Sequence, residues 1–295
     1  TINGLANGRS IVLMPKFDPH GVWKAVEQHK ITSLNVTGDA MARPLVEALD
    51  EADYDVSSLA LVASTAAVFS AAVKERFLEA FPNLMIAEAV GSTETGYNGA
   101  TMIVKGQPQK AGLPTVRMGP DTVVLDDDYN VIPPGTGQVG KMARGGNVPL
   151  RYHKDPEKSA ATFVTVDGRR FAVSGDFAVV EEDGSMTLLG RGSVCINSGG
   201  EKIFPEEVEA ALKAHPAVFD VVVVGVPDER WGERVAAVVQ TRDGINLTLE
   251  DVDAHCREHV AGYKVPRELH VVAAIERSPS GKPDYPWAKK IATGG

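Results

Sequence analysis

The stretch Met85-Ile86-Ala87-Glu88-Ala89-Val90-Gly91-Ser92-Thr93-Glu94-Thr95-Gly96 decides the fold. Met85–Val90 is an apolar run of strand length, and it empties into glycines, hydroxyls and a carboxylate. A strand that ends this way suits a nucleotide. Glycine lets a ligand approach the backbone, the Thr93 hydroxyl can bond a phosphate oxygen, and Glu94 can hold Mg2+. A polar turn closing a buried strand has the same composition, so both readings stand on this segment alone.

Upstream, Asp18-Pro19 marks a helix start, with Val22, Trp23 and Val26 on one face through Lys30. Ile31–Val36 and Leu59–Ala63 are short strands, and Ala71–Ala80 is a helix stopped by Phe81-Pro82. Strands alternating with helices predict a mostly parallel sheet. Past residue 110 the texture changes. Short β runs (Thr122–Leu125, Gly137–Ala143, Arg170–Ser174, Phe177–Val180, Met186–Leu189) are split by turns such as Pro133-Pro134-Gly135, and helical patterns vanish until about residue 204. A third region follows Gly190. It has a helix Pro205–His215, strands Asp220–Val226, Val235–Thr241 and Leu269–Ile275, and a helix capped by Thr248 with Asp251 three residues on, running to Val260. The expectation is an α/β chain in three parts: residues 1–110 as α/β, 111–190 as a small β-barrel-like subdomain, and 191–295 as a small mobile α+β domain hinged near 190–193.

The chain has 295 residues, 43% hydrophobic and 23% charged, with a net charge of −9. It is acidic on both sides of residue 190, so no basic body invites nucleic acid. No apolar run approaches the roughly 20 residues of a membrane span. Two cysteines, Cys195 and Cys256, form no disulfide framework and fit a reducing cytoplasm. Thr1-Ile2-Asn3-Gly4 has no Met and no signal pattern, and reads as a cut end. His255 and His259 stand at i, i+4, but the Glu of a His-Glu-x-x-His motif is absent.

Three further segments carry chemistry. Asp176, in Ser174-Gly175-Asp176, offers two acceptor oxygens suited to both hydroxyls of a ribose, or is a solvated turn acid. Gly190 to Ile203 holds four glycines within eleven residues, at 190, 192, 199 and 200. That is a hinge, a backbone face for a thin ligand, or an ordinary hairpin. Lys282, in Ser280-Gly281-Lys282-Pro283, is a point charge that can reach a neighbouring domain, or a solvated loop lysine.

In their order and spacing these segments resemble the adenylate-forming superfamily of acyl-CoA synthetases, nonribosomal adenylation domains and luciferases, over nearly the whole chain. The resemblance implies that Thr93 contacts phosphate and Glu94 holds Mg2+. It implies that Thr65-Ala66-Ala67-Val68 lines the adenine, with Val90 and Gly91 beside it. Asp176 and Arg191 would approach the ribose. Gly199, Gly200 and Lys202 would flank the CoA pantetheine, and Lys282 would serve the adenylation half-reaction. Val90 replaces the aromatic that commonly stacks on adenine, Ser193 replaces the hinge aspartate, and the Ser/Thr/Gly-rich phosphate loop ending in Pro-Lys is missing.

Gly190 to Asn197, Tyr263 to Arg267 and Gly281 to Lys289 look like actinobacterial fatty-acid and steroid-side-chain acyl-CoA ligases. The implied function is ATP-dependent: a carboxylic acid becomes an acyl-adenylate, then a CoA thioester. Trp23, Val36, Thr37, Gly38, Met41 and Ala42 would line the near side of the acyl pocket. Lacking the phosphate loop, the chain is expected to be inactive alone. The competing expectations are a non-catalytic nucleotide- or CoA-binding fragment, and acyl transfer to a carrier protein. The chain has no signature of oligomeric state, and a homodimer is compatible with it.

Overall fold

The structure is a computed structural model that describes residues 4, 6–107, 113–242, 245–278 and 281–294. Helix α1 (Pro19–His29) begins where the sequence says it should. The Asp18 carboxylate accepts from Gly21 N at 3.1 Å and Pro19 takes the first turn. Strand β1 (Ser33–Val36), helix α2 (Gly38–Glu51), strand β2 (Leu61–Ser64), helix α3 (Ala71–Ala80) and strand β3 (Met85–Ser92) follow. The three strands are parallel, with Ser33 level with Leu61 and Leu61 level with Met85, as strands joined through helices must be.

Helix α2 is absent from the sequence reading because Pro44 lies inside it. Burial outweighs the missing backbone donor: Ala42, Leu45, Val46 and Ala48 join the core that holds Trp23 and Phe77. Trp23 is fully buried and its Nε1 donates to Leu45 O at 2.8 Å.

A turn at residues 93–95 reverses β3 into β4 (Gly96–Ile103), and from there the sheet is antiparallel. Strands β5 (Thr115–Met118), β6 (Thr122–Leu125) and β7 (Val139–Arg144) come next, then helix α4 (Pro156–Thr162), β8 (Phe163–Val166), β9 (Arg169–Val180) and β10 (Ser185–Arg191). The order is β1-β2-β3-β4-β5-β10-β9-β7-β6, with β8 paired to β9, so the α/β part and the β part share one ten-stranded sheet.

Helix α4 corrects the expectation of no helix before about residue 204. Asp155 caps it, accepting from Lys158 N at 3.0 Å, but none of its residues is buried, so it has no apolar stripe to detect. The two strands expected around Ser174-Gly175-Asp176 are one strand with a bulge. Residues 174–176 stand opposite Met142 alone, and Ser174 Oγ donates to Met142 O at 2.9 Å.

A second sheet holds β11 (Ile196–Ser198), β12 (Glu201–Ile203), β13 (Val218–Asp228), β14 (Gly232–Thr241) and β15 (Glu268–Val272). Helices α5 (Pro205–Lys213) and α6 (Leu249–Arg257) pack on one face through Val208, Leu212, Val252 and Cys256. Helix α7 (Tyr285–Ala292) packs on the other through Ala288 and Ala292. With both faces covered, Val221-Val222-Val223-Val224 needs no polar alternation.

Thr248 Oγ1 accepts from Asp251 N at 3.2 Å while Thr248 N donates to Asp251 Oδ2 at 3.0 Å, a reciprocal capping box on α6. Thr248→Ala is expected to lower stability by about 1 kcal/mol, read as a shift in urea midpoint at constant slope. Among the described residues no helix is long and apolar enough to cross a membrane.

Candidate active site

A cavity of about 330 Å³ opens where β2 and β3 end, between the two sheets. The carboxyl ends of parallel strands are where open α/β sheets receive ligands. Ala66, Ala67 and Val68 form one wall, Val90 and Gly91 the adjoining one, and Asp176 and Arg191 come from the β9–β10 edge. Lys282 reaches the same space from the loop before α7. Five separate stretches of chain therefore converge.

The Ala66 wall is held in an unusual backbone state. Ala66 has φ +69°, the left-handed region that alanine rarely takes. Helix α2 clamps its far side: Asp39 N donates to Val68 O at 2.9 Å, and Asp39 Oδ1 accepts from Ser70 N at 2.8 Å. Asp39 is buried and paired with Arg43 at 3.2 Å.

Arg191 stands directly across from Asp176 in the sheet, and its Nε donates to Asp176 Oδ1 at 3.1 Å. The Arg191 side chain is 60% exposed, so this pair orients the carboxylate more than it stabilises the fold.

Lys282 is presented by a shaped loop. Gly281 has φ +80°, and a Cβ there would stand 3.2 Å from the Thr37 Cβ, so glycine suits both the turn and the close approach. Arg277 Nη1 donates to Gly281 O at 3.1 Å, and Lys282 N donates to Ser278 Oγ at 3.1 Å. Among the described residues no carboxylate pairs with the Lys282 ammonium.

Thr93 and Glu94 lie in the turn just beyond Gly91 and outside the cavity wall. The Tyr152 hydroxyl donates to Glu94 Oε1 at 2.6 Å and holds that carboxyl below its ordinary range. Burial and the Glu94 charge push the Tyr152 phenol up. Asn98 Nδ2 donates to Thr95 Oγ1 at 2.6 Å and Arg144 Nη1 to Thr95 O at 2.9 Å, which locks the turn. The described residues hold no cluster of three metal-ligating side chains. A single ionised carboxylate fits Mg2+ shared with substrate phosphates, the usual way this ion is held.

Gly199, Gly200 and Lys202 are not in the wall either. Gly199 and Gly200 form the β11–β12 turn of the second sheet, and Lys202 lies on β12 opposite Asn197, with its Nζ 5.3 Å from the centre of the Phe177 ring. Trp23, Val36 and Ala42, expected at an acyl pocket, are core residues instead, buried because α1 and α2 close over β1.

Sequence reasoning missed a set of charged side chains on the small-domain wall: Glu206, Glu209, Lys213 and Arg277, with Tyr285. The signal is in the sequence, since 206, 209 and 213 recur at i, i+3 and i+7 on α5, but they lie opposite the apolar stripe of Val208, Ala211 and Leu212, the side of a helix that is ordinarily solvated. Asp220 ties the set together. It accepts from Arg277 Nε at 2.8 Å and Nη2 at 2.7 Å, and Lys213 Nζ lies 3.4 Å away. Burial opposes the Asp220 charge, but Lys213 and Arg277 outweigh it and hold the carboxyl below its ordinary range.

Glu209 accepts from Val223 N at 3.0 Å, and burial lifts its carboxyl to about 7 against the Lys213 charge. A carboxyl raised on folding contributes stability that is full below its ordinary value of 4.5 and lost as pH rises to about 7. Glu209→Gln is expected to flatten that decline, which should amount to at least about 1 kcal/mol in urea midpoints between pH 4.5 and 8.

Residues 1–152 match the family model for the AMP-binding enzyme, and residues 207–282 match the AMP-binding enzyme C-terminal domain. The chain is 56% identical over 289 residues to a medium/long-chain-fatty-acid–CoA/3-oxocholest-4-en-26-oate–CoA ligase of Mycolicibacterium smegmatis, covering 96% of this chain and 52% of that protein. Among solved structures, it superposes on the amide bond synthetase McbA of Marinactinospora thermotolerans with TM-score 0.81 and 27% identity, covering 97% of this chain and 58% of that one. The anthranilate CoA ligase AuaEII, solved with anthranoyl-AMP, gives TM-score 0.79 and 25% identity over 98% of this chain and 56% of that one. The chain spans about half the length of the curated relatives it matches. With the family model covering residues 1–152 and the C-terminal model matching residues on the Lys282 side, the chain belongs to the AMP-binding enzyme family.

Proposed function

We propose that the full-length protein is an ATP-dependent acid–thiol ligase, and that this chain supplies the nucleotide side of its site. It would convert a carboxylic acid to an acyl-adenylate and then to a CoA thioester. The observation that carries this reading is the convergence of the Ala66–Val68 wall, Asp176, Arg191 and Lys282 on one cavity. A planar base fits the apolar wall at Val68 and Val90, and Asp176 faces the position of a ribose. Lys282 then stands on the phosphate side. When the acid attacks the α-phosphate, negative charge grows on the oxygens in flight, and a preorganised ammonium stabilises it. Mg2+, when bound through Glu94, would neutralise phosphate charge.

The second half-reaction calls for a different face. We assign residues 1–110 and 111–190 to the large domain and 191–295 to a small domain turning about 190–193. Rotation would withdraw Lys282 and bring the Gly199-Gly200 turn and Lys202 toward the cavity, opening a path for the CoA thiol. The acid class follows the similarity to the M. smegmatis ligase: medium- or long-chain fatty acids, or a steroid side-chain acid. The setting that fits ATP, CoA and two free cysteines is the cytoplasm.

The test is pyrophosphate release by the full-length protein across a panel of short, medium and long fatty acids, aromatic acids and a steroid side-chain acid. CoA, a phosphopantetheinylated carrier and a simple amine serve in turn as acceptor. Release with fatty or steroid acids and a thioester only with CoA supports the proposal. Release with none of them, or product only with the carrier or amine, overturns it.

A further inference from the structure

Of the buried side-chain polar atoms in the cavity wall, Glu206 Oε2 is the one with no hydrogen-bond partner among the described residues. Its other oxygen, Oε1, accepts from Arg191 N at 3.1 Å. That single bond joins the first turn of α5, in the small domain, to the last residue of the first sheet. The fit is close. Gly190 has φ +145°, and a Cβ there would stand 2.1 Å from Glu206 Oε2, so any side chain at 190 would evict the carboxyl. Phe204, two residues earlier, packs its ring against Phe177 at 5.5 Å and anchors the same turn. Arg191 in turn holds Asp176.

Resting on the ligase reading above, we propose that Glu206 is a positioning residue: it latches the small domain in the arrangement that brings Lys282 to the cavity, and it acts in adenylation but not in thioester formation. Arg191 is held to the first sheet by its pairing with Asp176, so a rotation taken up by residues 192–193 of the hinge pulls Glu206 away from Arg191 N, and the latch belongs to one arrangement only.

The acids Asp176 on β9 and Glu209 on α5 share the cavity wall with Glu206. So do the cations Arg191, Lys213, Arg277 and Lys282, and the phenol of Tyr285. Burial, then Glu209, lifts the Glu206 carboxyl to about 8. At neutral pH it therefore carries its proton and docks as a neutral acceptor. A carboxyl raised on docking favours the docked arrangement fully below 4.5 and loses that favour as pH rises through about 8.

The experiment uses the full-length protein with MgATP and an acid that the panel shows it activates. Pyrophosphate release reports adenylation, and thioester formation from supplied acyl-adenylate and CoA reports the second step. Glu206→Ala is expected to slow adenylation about tenfold, in kcat, and to leave the second step within about twofold. Wild type is expected to lose adenylation rate between pH 7 and 9, and Glu206→Gln, which cannot ionise, is expected to recover part of the rate lost in Glu206→Ala at pH 7 and to abolish that alkaline fall. Glu207→Ala, on the same turn but paired with Lys264 outside the cavity, serves as the control and should change neither step. Equal slowing of both steps by Glu206→Ala, no slowing of either, or an unchanged alkaline fall in Glu206→Gln overturns the latch while leaving the ligase reading intact. If Glu206→Ala does not fold, the Glu206→Gln pH profile decides alone. A wild-type protein that activates no acid sinks the ligase reading, and the latch with it.

Discussion

Lys282→Ala in the full-length protein is expected to slow pyrophosphate release by about 10²-fold, or about 3 kcal/mol of transition-state stabilisation. Thioester formation from supplied acyl-adenylate should change far less. The size follows from how the lysine is held. Gly281 in the left-handed region, Arg277 on the Gly281 carbonyl and Ser278 on Lys282 N fix the loop before any ligand arrives. The ammonium then has little reorganisation left when charge develops, which is the condition under which one group is worth this much. The asymmetry follows from rotation, since a lysine that leaves the site after adenylation cannot serve the second step. Equal losses in both half-reactions, measured by single-turnover kinetics, would rule Lys282 out as a group specific to adenylation.

Asp220→Ala is expected to cost about 3–5 kcal/mol of stability. The Arg277 and Lys213 side chains that face Asp220 are 11% and 3% exposed, and no water shell can replace a deleted carboxylate there. The pair as built need not be strongly stabilising, because burial of the charges costs nearly what their attraction returns. Deleting one partner is different, because it strands two cations in the wall. Urea unfolding at pH 7 measures it, and a loss below about 1 kcal/mol would show that the site rehydrates. The sign with pH is also set. Asp220 is held low, so its contribution is present above the ordinary aspartate range and lost as pH falls through the lower folded value. Arg277 also grips Gly281 O, so the variant should lose adenylation together with stability.

Much of the fold was legible because local chemistry wrote it. The Asp18-Pro19 start, the Ala71–Ala80 helix, the Thr122–Leu125 strand and the Thr248–Asp251 capping box need only neighbours within a few residues. Helix α2 was not legible, because Pro44 argues against it locally and only burial of Leu45 and Val46 against α1 decides the contest. Helix α4 escaped for the opposite reason, having nothing buried.

The candidate site divides the same way. The Gly-Ser-Thr-Glu turn, the Asp176 strand, the Gly190-Arg191 junction and the Gly281-Lys282 loop each carry a residue type whose chemistry can be named, and their order along the chain points to one family. Order along the chain does not place them in space. Only the packing of the two sheets puts Lys282, Arg191 and Asp176 on one cavity and leaves Gly199, Gly200 and Lys202 outside it in this arrangement. By local pattern alone, the charged row Glu206, Glu209 and Lys213 is the polar side of an amphipathic helix. It became buried wall because α5 meets the end of β10, and desolvation by a distant segment, invisible in any local pattern, is what turns a surface glutamate into a latch.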